Sequence, residues 1–203
     1  GFQIADALLV RADLADHVTR AGTSEYEQDY TIIPTVMNVY RGYSWADIDF
    51  SGTTVRFVAT HLESLFDEGK VPPAKAQADQ LVADVGEGQM PVVVMGDFNS
   101  DPRDPRPADD ANLGGQPVAG AQCAAQVPLA QAASADDTCS AYWTMVHAGF
   151  TDSGPNARTN LSWGYGATLD GPDSARPEGF TDRLDYVFTK NMGVPLSAHL
   201  VGN

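Results

Sequence analysis

The segment Pro91–Pro102, PVVVMGDFNSDP, runs four apolar residues into a glycine and then sets a carboxylate, Asp97, two positions before a carboxamide, Asn99. Asp, Asn, Ser and Gly are the ordinary turn residues, and a turn is one reading of the stretch. A chemical reading competes with it, because two other apolar runs carry residues of catalytic type in similar places: FVATHLE ends on His61 and Glu63, and RLDYVF holds Asp185. Taken singly, His61 reads as a satisfied residue at a strand end, and Asp185 as a buried carboxylate paired with Arg183 or a backbone donor. Taken together, polar groups at the same end of adjacent buried strands converge on one site, and His, Asp and Asn in one cleft supply a proton carrier, a base and a neutral hydrogen-bond donor. No serine or cysteine sits in a nucleophile motif, and there is no Gly-rich phosphate loop. The implied chemistry is hydrolysis by activated water.

The elements that must position these residues follow from periodicity. DALLVRADL reads as a strand, and the polar segment Thr19–Tyr30 after it as a surface excursion. In WADIDF, Ala46, Ile48 and Phe50 alternate with Asp47 and Asp49; a Ser51-Gly52 turn and the β-rich TTVRFVATHLE complete a hairpin. Its second strand places Val55, Phe57, Ala59 and His61 on one face, with Val58 on the other. PAKAQADQLVADV predicts a helix, with Pro73 where helices tolerate proline and Leu81, Val82 and Val85 at helical spacing. MPVVVMGDFN predicts a short buried strand, AYWTMVHAGF a helix and RLDYVFTK a strand, with an irregular Gly-rich stretch from Gly154 to Gly179. No internal repeat is visible.

With 203 residues, 43% of them hydrophobic, the chain supports one domain with a substantial core and shows no dividing linker. No apolar run approaches the roughly 18 residues of a membrane helix. Twenty-seven acidic residues against 12 basic ones give a net charge of −15, and lysine occurs only at Lys70, Lys75 and Lys190. A globally basic face is excluded, so a nucleic-acid ligand would need a local arginine patch or bound cations. Solubility or adaptation to salt also accounts for the acidity. Cys123 and Cys139 lie in a polar, alanine-rich segment without clear period. They read as a disulfide, two free thiols being the alternative; closing a loop of about 17 residues would stabilise the fold by ~3 kcal/mol and implies an oxidising compartment.

The stretches RGYSWADIDFSGTTVRFVATHLES, QADQLV, VVVMGDFNSDP, AGFTDS and RLDYVF, in this order, resemble the endonuclease/exonuclease/phosphatase superfamily, which includes DNase I, abasic-site endonucleases, bacterial sphingomyelinases and inositol polyphosphate phosphatases. Secreted bacterial members are the most similar. The resemblance spans about Asp6 to Lys190 and implies a four-layer α/β sandwich of the DNase I-like type, two packed mixed β-sheets flanked by helices. Residues 1–203 are expected to form a single such domain with a loop insertion at about 103–141, truncated at both ends: the family's early asparagine and metal-binding glutamate and its late Ser-Asp-His motif are not found here.

Roles carried over by resemblance are as follows. His61 resembles the histidine that polarises the scissile phosphate, Asp97 the carboxylate that aligns or deprotonates water, and Asn99 the amide on a nonbridging oxygen. Asp185 resembles the aspartate that orients a second histidine. Arg41 stands where a phosphate-contacting arginine is placed, an ordinary surface arginine being the other reading, and Glu63 is a secondary candidate that orients neighbours. Mg²⁺ (or Mn²⁺/Ca²⁺) is the implied cofactor, with Asp97 and Asn99 as ligands. The function implied is a divalent-metal-dependent phosphoric-ester hydrolase acting on nucleic acid, a phospholipid headgroup or a small phosphoester, monomeric when complete. Secretion is expected, a cytoplasmic protein otherwise. The span alone is expected to be inactive. The competing reading is a noncatalytic secreted binding module that keeps the fold.

Overall fold

The computed structural model describes residues 6–109, 116–126, 133–155, 161–164, 180–193 and 195–199. The hairpin forms as its alternation dictates: β4 (Gly42–Phe50) pairs antiparallel with β5 (Thr53–His61), register Phe50↔Thr53 through Tyr43↔Thr60. Helix α1 (Pro73–Val85) then crosses back, so that β6 (Val92–Asp97) lies parallel to β5. Helix α2 (Ala141–His147), capped by the Ser140 hydroxyl accepting from the Trp143 N–H at 3.2 Å, leads into the two-residue β7 (Thr151–Asp152). Strand β8 (Asp185–Lys190) closes antiparallel on both β6 and β7.

Two expectations at the start of the chain are corrected. DALLVRADL makes no strand: residues 6–11 join no ladder, and Ala12–His17 forms a 3-10 helix preceded by an Arg11–Asp13 ion pair at 2.8 Å. The polar excursion is instead largely a strand, β1 (Val18–Glu25), antiparallel to β4. Its side chains are mostly exposed because it closes one edge of the sheet, so no apolar face is required of it. The sheet has the order β1-β4-β5-β6-β8-β7, and a separate two-stranded ribbon, β2 (Tyr30–Ile33) with β3 (Met37–Val39), stands apart from it.

These elements make the mixed α/β fold that was expected. The core lies between the sheet and helices α1 and α2, with Val58, Val92, Val94, Tyr186 and Phe188 from the strands meeting Ala78, Leu81, Trp143 and Met145 from the helices. Lys190 fastens both helix ends, its ammonium donating to the carbonyls of Gly86 at 2.8 Å and Ala148 at 2.7 Å. Cys123 and Cys139 are joined, Cα atoms 5.7 Å apart, within the irregular segment after β6. Most of the Gly154–Gly179 stretch and part of the 103–141 segment lie outside the described residues. Among the described residues, no helix is long and apolar enough to cross a membrane.

Candidate active site

Three neighbouring strands end on one line. His61 of β5 is the register partner of Asp97 of β6, and Asp97 in turn that of Asp185 of β8. Register partners share a sheet face. With Val58, Tyr186 and Phe188 on the helix-covered face, strand alternation puts His61, Asp97 and Asp185 together on the opposite one. The glycine before Asp97 has a packing reason: a Cβ on Gly96 would lie 1.8 Å from the Thr60 carbonyl oxygen, and its φ of 150° disfavours side chains. Only glycine lets β6 approach β5 closely here. Asn99 turns the chain with φ 45°, a conformation asparagine tolerates, and its Nδ2 donates to the Leu62 carbonyl at 2.8 Å. Leu62 N–H donates to the Asp97 carbonyl at 2.9 Å and Phe98 N–H to that of Leu184 at 2.8 Å, so all three strand ends are pinned.

The charges on this rung are held loosely. His61 Nε2 stands 3.5 Å from Asp97 Oδ2, and Nδ1 3.9 Å from Asp6 Oδ1, both beyond a good hydrogen bond. Asp97 Oδ1 accepts from the Asn99 backbone N–H at 2.8 Å. Burial pushes the Asp97 carboxyl above the ordinary range, and the negative charge of Asp185 adds to it; the Asn99 N–H, His61 and Arg41 pull the other way. A cavity of about 360 Å³ opens on this face, lined by Asp6, Leu8, His61, Met95 and Asp97 among others.

Arg41 and Glu63 form a neighbouring unit rather than part of the rung. Glu63 is buried, accepts from Arg41 Nε at 3.3 Å and from the Leu65 N–H at 2.9 Å, while its own N–H donates to Gln77. Both line a second cavity of about 730 Å³, which shares Asp6 with the first.

A family model described as the Endonuclease/Exonuclease/phosphatase family matches residues 8–203. The chain belongs to the endonuclease/exonuclease/phosphatase family. Members of this family are hydrolases that act on phosphoesters. Among solved structures, it is similar to an endonuclease/exonuclease/phosphatase from Bacteroides vulgatus (16% identity, TM-score 0.47, 87% of this chain and 56% of that one). It is also similar to a family protein from Bacteroides thetaiotaomicron (15%, 0.48, 87% and 51%) and to that organism's mannosyl-6-phosphatase Bt3783 (16%, 0.45, 87% and 54%). The chain spans about half the length of these structures. No curated protein matches it.

Magnesium is the ion expected from the family resemblance, and it takes six oxygen ligands in near-octahedral array. Asp97 and Asn99 are the candidates at hand, and one oxygen of Asp97 is already taken by an N–H. Among the described residues, no group of three or more His, Cys, Asp or Glu side chains is disposed to hold an ion. The described donors therefore do not make a coordination shell.

What sequence reading missed lies beside and behind the rung. Asp6, next to His61, opens the segment DALLVRADL that read as a strand. Behind Asp97 and Asp185 is a buried ionic cluster of the segments 101–106 and 181–183. Asp101 accepts from the Arg103 Nε at 2.7 Å and from the Arg183 N–H at 2.9 Å; Arg106 meets Asp182 and lies 3.0 Å from Asp104. Arg183 pairs with Asp152 through two bonds of 2.7 Å, so the pairing of Arg183 with Asp185 considered from sequence does not occur, and Asp185 is exposed rather than buried. Burial pushes the Asp104 carboxyl up to about 8 against the pull of Arg106.

Proposed function

We propose that this chain carries the acid-base face of a phosphoric-ester hydrolase of the phosphodiesterase or phosphatase type. The observation that supports it is the in-register line His61–Asp97–Asp185 at the mouth of a cavity. Asp97, its carboxyl raised by burial, accepts a proton from a water whose oxygen bonds to phosphorus in line as the ester P–O bond opposite breaks, the departing alkoxide taking its proton from solvent; a base with a raised carboxyl is better matched to neutral pH. His61 donates toward a phosphoryl oxygen from the adjacent strand, and the Asn99 amide keeps one N–H for a nonbridging oxygen after serving Leu62. Asp185 holds negative charge beside Asp97 and so favours its proton uptake. The Mg²⁺ expected from the resemblance would find Asp97 and Asn99 here and would need further ligands.

The test is hydrolysis of bis(p-nitrophenyl) phosphate and p-nitrophenyl phosphate by the natural protein that contains these residues, with and without added Mg²⁺. Asp97→Asn and His61→Ala should each lower turnover by at least about a hundredfold, the usual value of a positioned acid-base group. No hydrolysis of either ester under any condition would overturn the reading in favour of a binding module.

A further inference from the structure

Arg183, Leu184 and Asp185, which lead into the rung from the β8 side, are held largely by side chains. The Arg183 N–H donates to the Asp101 carboxylate at 2.9 Å, and the Leu184 and Asp185 N–H groups donate to the Ser162 hydroxyl at 3.1 and 3.2 Å. The Arg183 carbonyl accepts from the Tyr186 hydroxyl at 2.5 Å. That hydroxyl also reaches the carbonyl of the buried Ser100 at 2.9 Å, so one phenol proton is shared between the residue after Asn99 and the residue two before Asp185. Tyr186 is itself buried, on the helix-covered face and so on the far side of the sheet from His61, Asp97 and Asp185. Burial, with the charge of Asp101 adding to it, holds the phenol well above its ordinary range, and it stays a donor at any working pH.

The turn that this hydroxyl braces is a strained one. Asn99 has a φ of 45°, a left-handed conformation that persists only where the surroundings impose it. On the β5 side the turn is tied by the Asn99 Nδ2 on the Leu62 carbonyl and by the Leu62 N–H on Asp97. On the β8 side it is tied by the Phe98 N–H on the Leu184 carbonyl and by the Tyr186 phenol on Ser100. Asp101 spans the same gap, but it also holds Arg103, so its loss would untie the ionic cluster as well. Tyr186 spans it with a single oxygen.

We propose that Tyr186 is a positioning residue for hydrolysis: by tying Ser100 to Arg183 beneath the sheet, its hydroxyl fixes the Asp97 carboxylate and the Asn99 carboxamide relative to Asp185. This deepens the hydrolase reading and rests on it. Tyr186 touches no substrate and acts through the turn, where a displacement of about 1 Å is enough to cost up to about a hundredfold in rate.

Steady-state hydrolysis of bis(p-nitrophenyl) phosphate tests this in the natural protein and two variants, at a temperature well below all three melting transitions. Tyr186→Phe keeps the ring and its packing against Phe98 and Phe188 and removes one oxygen. Tyr142→Phe is the control: its ring lies 5.2 Å from that of Tyr186 in the same aromatic cluster, and its hydroxyl meets Asp152 at 3.4 Å instead of the turn. In Tyr186→Phe kcat should fall at least about tenfold with KM within about twofold, and Tyr142→Phe should keep both. Amide hydrogen exchange at Asn99, whose N–H donates to Asp97 Oδ1, should quicken in Tyr186→Phe and not in Tyr142→Phe, a readout that needs no turnover. Unchanged kcat in Tyr186→Phe, an equal fall in Tyr142→Phe, a change confined to KM, or unchanged exchange at Asn99 would overturn the proposal. Wild-type protein that hydrolyses no phosphoester overturns the hydrolase reading instead, and exchange at Asn99 then still decides whether the hydroxyl braces the turn.

Discussion

Asp182 and Asp97 lie on neighbouring segments and are held in opposite ways. Asp182 is fully buried and meets Arg106 and the Thr181 hydroxyl, the latter at 2.6 Å. The Asp97 side chain is 26% exposed, and the 30% exposed imidazole of His61 stands 3.5 Å away. One carboxylate has its lone pairs committed to arginine and hydroxyl; the other keeps an oxygen and a cavity in front of it. The same residue type thus serves as a fastener in the cluster and as a reactive group on the rung. What separates the two is whether the partners are already satisfied.

The comparison breaks first if the cluster is not structural. Arg106→Ala takes the buried cation from Asp104 and leaves Asp182 only the half-exposed Arg103 at 3.6 Å, and removing one partner of a buried pair typically costs about 3–5 kcal/mol. Urea denaturation should show a loss of that size, and a loss under about 1 kcal/mol would return the cluster to the status of a dispensable network. Next in size is the cystine. Ala119 and Gln126 N–H groups donate to the Arg106 and Pro105 carbonyls, so the crosslinked segment braces the cluster's backbone. Cys123→Ser/Cys139→Ser should cost ~3 kcal/mol for a loop of this length. Hydrogen exchange should speed up at Asp104 and Arg106 before it does at His61, and the reverse order would reject the brace. At the rung, His61→Ala should change stability by less than about 1 kcal/mol, as for surface positions without committed partners, even as hydrolysis falls.

Periodicity made the hairpin β4–β5, helix α1 and strands β6 and β8 legible, because each buries an apolar face against the core and the pattern records it. Strand β1 left no such record: VTRAGTSE is an edge strand, held by backbone pairing to β4, and backbone pairing has no sequence period. His61, Asp97, Asn99 and Asp185 were readable as strand-end polar residues, yet their shared register was not, since it depends on α1 returning the chain parallel. The cluster was illegible for another reason. SDPRDPRP has the composition of an exposed loop, and only tertiary pairing with Asp182 and Arg183 makes its charges buried ones.

The smallest effect expected, and the sharpest, concerns Asp97 and pH. Burial and the charge of Asp185 raise its carboxyl in the folded state, while Asn99, His61 and Arg41 oppose the shift. A group whose folded pKa exceeds its unfolded one holds more protons folded than unfolded between the two values, so its contribution to stability falls as pH rises through that window. Asn at this position has no such proton to lose. Its oxygen can still accept from the Asn99 N–H, and its amide nitrogen faces the His61 ring. Asp97→Asn should therefore melt slightly higher than wild type at pH 7, and the gap should close as pH falls into the ordinary carboxylate range. Asp104 titrates in both proteins, so the difference between their melting curves isolates Asp97. A gap that widens on acidification would mean that Asp97 is stabilised as a carboxylate, like Asp182, and the distinction between reactive and structural acid would fail at the residue on which it most depends.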